Sequence, residues 1–186
     1  MTLYRTIVAD PPWTLGKLTH KARPNQIKMD YPVMALAELK RLPVARLAAD
    51  DCWLFLWTIQ KYLFEAKDVL TAWGFQHLCV GVWEKTYGRS AGMPLYGFRW
   101  NAEFYLVGYR RKPPLWPARK LMPLAFQAPN IRHSQKPEAL QDMVEQVSPG
   151  PYLELFARRA RPGWDSWGNE VASDPAVSAI LDGTYA

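Results

Sequence analysis

Four consecutive residues, Asp10-Pro11-Pro12-Trp13, bring a carboxylate, two rigid residues and an indole together directly after the apolar run 6–9. An apolar run closed by prolines predicts a buried strand, and α/β proteins place ligands at the carboxyl ends of parallel strands. The prolines restrict the backbone, so we expect the Asp10 carboxylate and the Pro11 carbonyl to be fixed beside a flat face of Trp13. Two fixed acceptors beside an aromatic face suit a planar base held by its exocyclic amine.

Methylation of such an amine is chemically demanding because the nitrogen lone pair is delocalised into the ring. Hydrogen bonds from the amine to Asp10 and to the Pro11 carbonyl would draw the nitrogen towards tetrahedral geometry and stabilise the positive charge that develops during attack. The attack step then needs no strong general base. The competing interpretation is structural: a strand end turned by two prolines, with Trp13 in the core.

Short apolar runs rich in β-branched and aromatic residues alternate with longer segments of helical periodicity. This alternation is typical of an α/β domain with a mostly parallel central sheet and helices on both faces. We predict a single domain over residues 1–172, a long irregular loop over 110–134 and a loosely attached tail over 173–186. The predicted strands are 6–9, 52–57, 75–83, 103–109, 152–156 and 164–167, and the predicted helices are 35–42, 61–73 and 137–147.

The positive charge of the chain is concentrated in two segments. The 186 residues include 23 Lys and Arg against 17 Asp and Glu, for a net charge of +6. Segment 13–29 carries a net +4 and segment 85–137 a net +9, with Glu103 as the one acid in either, so the remaining residues sum to −7. Basic segments on an acidic frame favour a polyanionic partner, nucleic acid before membrane.

Composition excludes several classes of protein. Hydrophobic residues make up 49% and charged residues 22% of the chain, which is typical of neither a disordered tail nor a coiled coil. No apolar run approaches the ~18 residues of a membrane-spanning helix. Cys52 and Cys79 lie in apolar runs, which predicts buried thiols in a reducing compartment, and the three histidines are too scattered to predict a metal site.

Several further motifs accompany the Ile-Val-Ala-Asp-Pro-Pro-Trp segment at 7–13. They are Trp-Leu-Phe-Leu-Trp at 53–57, Asn-Ala-Glu-Phe-Tyr-Leu-Val-Gly at 101–108, His-Ser-Gln-Lys-Pro at 133–137, Glu-Leu-Phe-Ala-Arg at 154–158 and Trp-Gly-Asn-Glu at 167–170. In this order over residues 4–171, the chain resembles the DPPW-type N6-adenine methyltransferases, relatives of the messenger-RNA adenosine methyltransferase catalytic subunit that include many small bacterial and phage enzymes. The resemblance implies a Rossmann-like, S-adenosylmethionine-dependent methyltransferase fold in a cytoplasmic enzyme of bacterial or phage origin.

The resemblance also implies roles for individual residues. Asp10, Pro11, Pro12 and Trp13 would form the catalytic strand end between the methyl donor and the target adenine. The residues implied in binding S-adenosylmethionine are Asp10, Lys136, Glu154, Phe156, Arg158, Asn169 and Glu170. The chain departs from its relatives in two places: no acidic residue precedes Asp10 to read the cofactor adenine, and 160–161 is Ala-Arg where a His-Asn pair would contact the ribose.

The basic, proline-rich loop over residues 110–132 and the first loop over residues 14–30 are predicted to flank the catalytic strand end and to contact nucleic acid, because Lys and Arg interleaved with aromatic residues suit phosphate contacts and base stacking. The predicted contacts are Lys17, Lys21, Arg23, Arg110, Arg111, Lys112, Arg119, Lys120 and Arg132. DNA is the expected substrate. The alternatives are RNA and a catalytically silent nucleic-acid-binding subunit, and a homodimer or a second subunit is a possible partner. A small-molecule acceptor would leave the +9 segment unexplained.

Overall fold

A seven-stranded sheet runs through the centre of the protein in a computed structural model that describes residues 3–14, 33–86, 94–95, 98–113, 121–130 and 136–184. Its strands are β1 (Tyr4–Ala9), β2 (Ala48–Thr58), β3 (Gln76–Lys85), β6 (Ala102–Tyr109), β7 (Ala125–Ala128), β8 (Tyr152–Leu155) and β9 (Trp164–Trp167). A separate hairpin is formed by β4 (Pro94–Leu95) and β5 (Phe98–Arg99). The strand order in the large sheet is β7-β3-β6-β2-β1-β8-β9.

Six of these seven strands run in one direction, and β6 runs in the opposite direction between β3 and β2. The predicted mostly parallel sheet is therefore confirmed. Because parallel strands end at the same side of a sheet, the last residues of the six parallel strands and the first residues of β6 lie along one edge. We call this the carboxyl edge and the other side the amino edge.

Helices cover both faces of the sheet, as predicted. On one face, the buried side chains of α1 (Leu36–Arg41), α2 (Glu65–Ala72) and α4 (Pro175–Leu181) pack with those of β1, β2 and β8 in one hydrophobic cluster. On the other face, α3 (Ala139–Val147) packs on a second cluster that is rich in tryptophan and tyrosine. None of the described helices has both the length and the apolar character that a membrane span requires.

The central strand β1 shows why the sheet forms from this sequence. Ile7 and Ala9 face the cluster of α1, α2 and α4, whereas Val8 faces the cluster of α3, and all three are buried. A parallel strand covered on both faces is apolar throughout rather than alternating, so the predicted buried strand is confirmed. Side chains alternate between the faces, and Asp10, the next residue along, therefore points towards the α3 side.

Two predicted elements differ from the structure. The segment 110–134 was expected to lack regular structure, yet it contains β7, which pairs in parallel with the last residues of β3. Four residues are too few to show a periodic pattern, and pairing with β3 rather than local propensity makes this segment a strand. The helix expected over 61–73 begins at Glu65, because a single 3-10 turn over Gln60–Tyr62 precedes it.

Residues 173–186 were expected to form a loosely attached tail, and for the described residues 173–184 this expectation is wrong. Residues of α4 pack in the core, where Val177, Ile180 and Leu181 are buried. The helix begins at an N-cap, because the Asp174 carboxylate accepts hydrogen bonds from the main-chain N–H groups of Ala176 and Val177 at 2.9 and 3.0 Å. With only seven residues, the apolar face of α4 was too short to separate from an irregular terminus.

Three basic residues predicted to flank the catalytic strand end lie at the opposite edge of the sheet. Arg110 follows β6, and its main-chain N–H donates to the Cys52 carbonyl of β2. Cys52 lies five residues, or roughly 16 Å, before Trp57, which is close to the carboxyl end of β2. The Arg110 guanidinium donates to the main-chain carbonyls of Ala45 and Ala48. Arg110 is therefore a structural residue at the amino edge.

The next two residues, Arg111 and Lys112, also lie at the amino edge. Arg111 is exposed and pairs with Asp50 at 3.1 Å, while Lys112 is exposed and donates its N–H to the Asp50 carbonyl at 3.3 Å. The expectation that residues 110–112 adjoin the catalytic strand end is wrong, because β6 is the antiparallel strand and carries whatever follows it away from the carboxyl edge.

The cysteines are both free thiols. Cys52 is fully buried, as predicted, whereas Cys79 on β3 is partly exposed. Burial raises the pKa of both thiols. No group of three or more His, Cys, Asp or Glu side chains in the described part of the chain is arranged to hold a metal ion.

The packing of α4 gives a first testable prediction. Leu181→Ala removes a fully buried side chain and is expected to lower the free energy of unfolding by about 2–5 kcal/mol. The measurement is urea unfolding followed by circular dichroism. Leu121→Ala is the matched control, because Leu121 is 94% exposed and its loss is expected to change stability by less than about 0.5 kcal/mol. Equal, small effects of both changes would show that the terminal helix is not part of the core.

Candidate active site

The turn after β1 is held by main-chain hydrogen bonds at three points. The N–H of Asp10 bonds to the Leu155 carbonyl at the end of β8, at 3.3 Å. The N–H of Trp13 bonds to the Pro11 carbonyl at 2.8 Å, and the Pro12 carbonyl accepts from the N–H of Met34 at 3.0 Å. A carbonyl oxygen has two acceptor positions, so the Pro11 carbonyl retains one for another donor.

Trp13 does not present the free flat face that the sequence suggested. Its side chain is only 6% exposed, and its indole N–H donates to the Trp57 carbonyl at 3.0 Å. One face of the ring stacks on Tyr62, with 5.4 Å between the ring centroids and 24° between the planes. Trp13 therefore packs in the core and anchors the turn that carries Asp10. The competing interpretation, in which the Trp13 ring lies in the core, is therefore correct for this ring, and the expectation of an open stacking surface is wrong.

The Asp10 carboxylate is paired with Lys136. The ammonium of Lys136 lies 2.9 Å from Oδ1 and 3.1 Å from Oδ2 of Asp10, so it faces both oxygens. The same ammonium lies 3.2 Å from Oε2 of Glu103. On its other side, Glu103 pairs through Oε1 with the ammonium of Lys85 at 2.5 Å. Four charged groups thus alternate in sign across the carboxyl edge, and we call them the charged row.

The charged row is largely withdrawn from water. The side chains of its four members are between 13% and 19% exposed. Aromatic rings line it: the Lys136 ammonium lies 5.6 Å from the ring centroid of Trp57, and the Lys85 ammonium lies 5.1 Å from that of Trp83. In this setting each charge depends on its opposite neighbour, because an unpaired buried ion is very costly.

The pKa values of the two inner groups reflect this mutual dependence. Burial by itself would raise the pKa of Glu103, but the ammonium groups of Lys136 and Lys85 outweigh burial and lower it. Burial would likewise lower the pKa of Lys136, but Asp10 and Glu103 outweigh it and raise the pKa. Both shifts favour the charged forms of Glu103 and Lys136.

The alternation of side chains along the strands explains how these residues meet. Asp10 shares the α3 side of the sheet with Val8, and Glu103 shares it with Tyr105 two residues further along β6. Lys85 shares it with Trp83 on β3, and Lys136 lies three residues before the first residue of α3. No two members of the row are within ten residues of one another in the chain. The sheet order brings Asp10, Glu103 and Lys85 to one edge, and the segment before α3 places Lys136 between Asp10 and Glu103.

The other residues implied in cofactor binding lie at the same edge, after β8 and β9. Glu154 is on β8, Phe156 and Arg158 follow that strand, and Asn169 and Glu170 form the turn after β9. Arg158 and Glu170 are 3.8 Å apart, and both are substantially exposed. The structure therefore brings all seven implied cofactor residues to one edge.

Glu154 is a largely buried acidic side chain of this group, as is Asp10. The pKa of Glu154 is raised to about 7, chiefly by burial and also by the nearby Asp10 carboxylate, whereas a hydrogen bond from Gln141 and the positive charges of Arg159 and Arg161 act against the shift. The Oε1 atom of Gln141 is buried and has no hydrogen-bond partner in the described residues. A carboxyl that titrates near neutral pH therefore lies beside Asp10, next to an unused acceptor.

The backbone is unusually close where β8 and β9 end. Phe156 adopts φ = +62°, a left-handed conformation that is uncommon for a residue with a side chain, and its ring packs edge-on against Trp167 at 5.3 Å. Gly168 lies so near to Ala157 that a Cβ atom would be 2.2 Å from the Ala157 carbonyl oxygen. Glycine is required there, and the two strand ends form one fixed ledge beside Asp10.

The predicted nucleic-acid contacts divide into two groups. Arg110, Arg111 and Lys112 are at the amino edge, away from this site. The remaining six lie outside the described residues: Lys17, Lys21, Arg23, Arg119, Lys120 and Arg132.

Sequence reasoning assigned no role to two members of the charged row, Glu103 and Lys85. One signal was present, because Glu103 is the single acid in a segment that contains ten basic residues. An acid kept among so many bases is expected where it has a buried cation to neutralise. No comparable signal distinguished Lys85 from the other lysines.

Comparison with known proteins identifies a family and several relatives of this chain. The MT-A70 family model matches residues 4–170. A type II methyltransferase, M.MunI of Mycoplasma sp, is 33% identical, with 90% of this chain and 78% of that protein covered. The N(6)-adenine-specific methyltransferase METTL4 of Homo sapiens is 30% identical, with 90% of this chain and 37% of that protein covered.

A further relative is the N(6)-adenosine-methyltransferase catalytic subunit METTL3 of Homo sapiens, which is 26% identical over 98% of this chain and 31% of its own length. The chain thus spans most of M.MunI but only about a third of METTL4 and METTL3. The family match runs from the first residue of β1 to the turn after β9, and so includes every residue at the carboxyl edge discussed above. By that match, and by its identity with M.MunI, this chain belongs to the MT-A70 family.

Proposed function

We propose that this protein transfers a methyl group from S-adenosylmethionine to the N6 amine of adenine in DNA. The observation that carries the proposal is the Asp10 carboxylate, which is fixed at the end of β1 by Lys136 and lies beside the Pro11 carbonyl with its free acceptor position. Family membership supports the reaction class, since METTL4 and METTL3 are both named as N6 methyltransferases of adenine or adenosine.

The residues at the carboxyl edge fit S-adenosylmethionine. When bound, this group supplies a methyl carried on a positively charged sulfonium, together with an ammonium, a carboxylate and ribose hydroxyls. The carboxylates of Asp10 and Glu154 lie beside the ledge, where their negative charge favours the positively charged groups of this molecule. Arg158, Asn169 and Glu170 offer donors and acceptors for the polar groups, and Arg158 and Glu170 are oriented by their contact at 3.8 Å.

The residues of this chain act on the amine through fixed hydrogen-bond acceptors. Asp10 accepts one N–H of the adenine amine and Pro11 accepts the other, which draws the nitrogen lone pair out of conjugation with the ring. As positive charge develops on the nitrogen, the Asp10 carboxylate lies where it stabilises that charge. Lys136 holds the carboxylate in place, and Pro12 and Trp13 keep the turn rigid.

DNA is proposed as the polymer because M.MunI, of which this chain covers 78%, is named a type II methyltransferase of Mycoplasma sp. The decisive experiment is transfer of tritiated methyl from S-adenosylmethionine to single-stranded DNA, duplex DNA and RNA in parallel, with digestion of the product to N6-methyladenine. Label on RNA alone would overturn the choice of DNA, and no label on any polymer would overturn the function.

Asp10→Asn tests the mechanism. The change removes the negative charge but keeps the shape, and Lys136 retains Glu103 as a partner. We expect kcat to fall by at least about 100-fold, as it does when one group that stabilises a transition state is lost. The thermal midpoint is measured alongside to show that the variant is folded. A variant with near wild-type kcat would contradict the role of Asp10.

The position of the basic residues gives a matched pair of variants for DNA binding. Lys17, Lys21 and Arg23 follow the Asp10–Trp13 motif in the sequence, and we propose that they contact DNA, whereas residues 110–112 lie at the amino edge. Replacing the first three by Ala is expected to weaken duplex binding and to reduce the slope of log K against log salt by about 2–3. Arg111→Ala with Lys112→Ala is the control and is expected to leave the slope unchanged.

A salt slope that falls only in the 111–112 variant would reverse this assignment. Arg110 is left intact in the control, because its bonds to main-chain carbonyls stabilise the fold.

A further inference from the structure

Lys85 occupies the outer end of the charged row, three strands away from Asp10. Its ammonium contacts Glu103 at 2.5 Å, Glu103 contacts Lys136 at 3.2 Å, and Lys136 contacts Asp10 at 2.9 Å. The row contains two cations and two anions and is neutral as a whole. Its two inner members, Glu103 and Lys136, each face two opposite charges, whereas the two ends each face one.

The position of Lys85 is fixed by its surroundings. It is the last residue of β3, where its N–H bonds to the Asn101 carbonyl at 2.8 Å. Its ammonium lies 5.1 Å from the ring centroid of Trp83, and the indole N–H of Trp83 donates to the Ala128 carbonyl at 3.0 Å. The Lys85 side chain is 13% exposed, the least of the row, which suits a group directed at Glu103 rather than at a polymer in solvent.

We propose that Lys85 is a positioning residue for methyl transfer, which holds Glu103 and thereby keeps Lys136 on the carboxylate of Asp10. The effect of Lys85 on methyl transfer rests on the proposed function, whereas its role in holding Glu103 does not. Lys85 touches neither Asp10 nor, in this role, the base or the methyl donor.

Asp10 and Glu103 compete for the one ammonium of Lys136. Lys136 is shared between Asp10 at 2.9 Å and Glu103 at 3.2 Å, and the contact with Asp10 is the closer one because Lys85 already neutralises Glu103 from the other side. Without Lys85, Glu103 is a buried anion whose one remaining cation is Lys136. Glu103 then draws the ammonium towards itself, and the Asp10 carboxylate loses the contact that orients it.

The first test is kinetic. Lys85→Met is expected to lower kcat by about 10- to 100-fold, because a small displacement of a catalytic group has effects of that size, while KM for DNA changes by less than about twofold. Lys85→Arg retains the charge and is expected to recover most of kcat. Lys112→Met is the matched control at the amino edge and is expected to match wild type. A large rise in KM with unchanged kcat would show that Lys85 contacts DNA directly and would overturn the proposal.

A double variant shows whether Lys85 acts through Glu103. Lys85→Met with Glu103→Gln removes one cation and one anion and leaves Asp10 paired with Lys136 alone. If Lys85 acts through Glu103, the double variant is expected to be no slower than Glu103→Gln by itself. If the two losses multiply instead, Lys85 acts independently of Glu103 and the proposal fails.

A third readout does not require activity. Lys85 helps to lower the pKa of Glu103, and a carboxyl with a lowered pKa stabilises the fold above its unfolded pKa and loses that contribution as pH falls through its folded pKa. The Tm gap between wild type and Lys85→Met is therefore expected to be largest at neutral pH and to narrow as pH falls below about 4.5. A gap that does not depend on pH would mean that Lys85 only fills space.

The outcomes separate the two hypotheses. If wild type methylates no polymer, the proposed function fails, and the pH dependence of Tm alone decides whether Lys85 holds Glu103. If wild type is active and Lys85→Met is equally active, the positioning role fails while the proposed function stands.

Discussion

The ion pair between Asp10 and Lys136 is the interaction on which the rest of the site depends. A carboxylate at the end of a buried strand would be neutralised by protonation or expelled towards water if no cation faced it. Lys136 faces both of its oxygens, at 2.9 and 3.1 Å, and itself needs further negative charge because it is largely buried, with the Trp57 ring beside its ammonium. Glu103 supplies that negative charge, and because Glu103 is itself buried, it is neutralised in turn by Lys85. Each buried charge in the row thus requires the opposite charge of the next member.

The sheet topology makes this row possible. Adjacent strands bring residues into contact that are far apart in the chain, and β6, as the antiparallel strand, presents its first residues rather than its last at the carboxyl edge. Glu103 reaches the edge for this reason. For the same reason the residues after β6, including Arg110, are carried to the amino edge, where they bind main-chain carbonyls and an aspartate. A single reversal of strand direction therefore adds an acid to the site and removes three bases from it.

The turn at Asp10 is rigid because it is anchored from three sides. Trp13 is buried between Tyr62 and the end of β2, the Pro12 carbonyl is bonded to Met34, and β8 holds the N–H of Asp10. The same β8 continues into the ledge formed by Phe156 and Gly168, where the backbones of two strand ends touch. The acceptor groups and the ledge are parts of one sheet edge, so the distance between them is set by strand spacing rather than by flexible loops.

The sequence by itself determined the class of fold, most of the elements and the position of Asp10, because these follow from local patterns: apolar runs, helical periodicity and the stiffness of two prolines. The sequence motifs also indicated the residues of the ledge and Lys136. Tertiary structure decided the rest. Short elements such as β7 and α4 exist because they pack against others, and four to seven residues carry too little periodicity to reveal them. The burial of Trp13, the recruitment of Lys85 and Glu103, and the exclusion of Arg110 depend on strand order and direction, which bring together residues that no spacing along the chain connects.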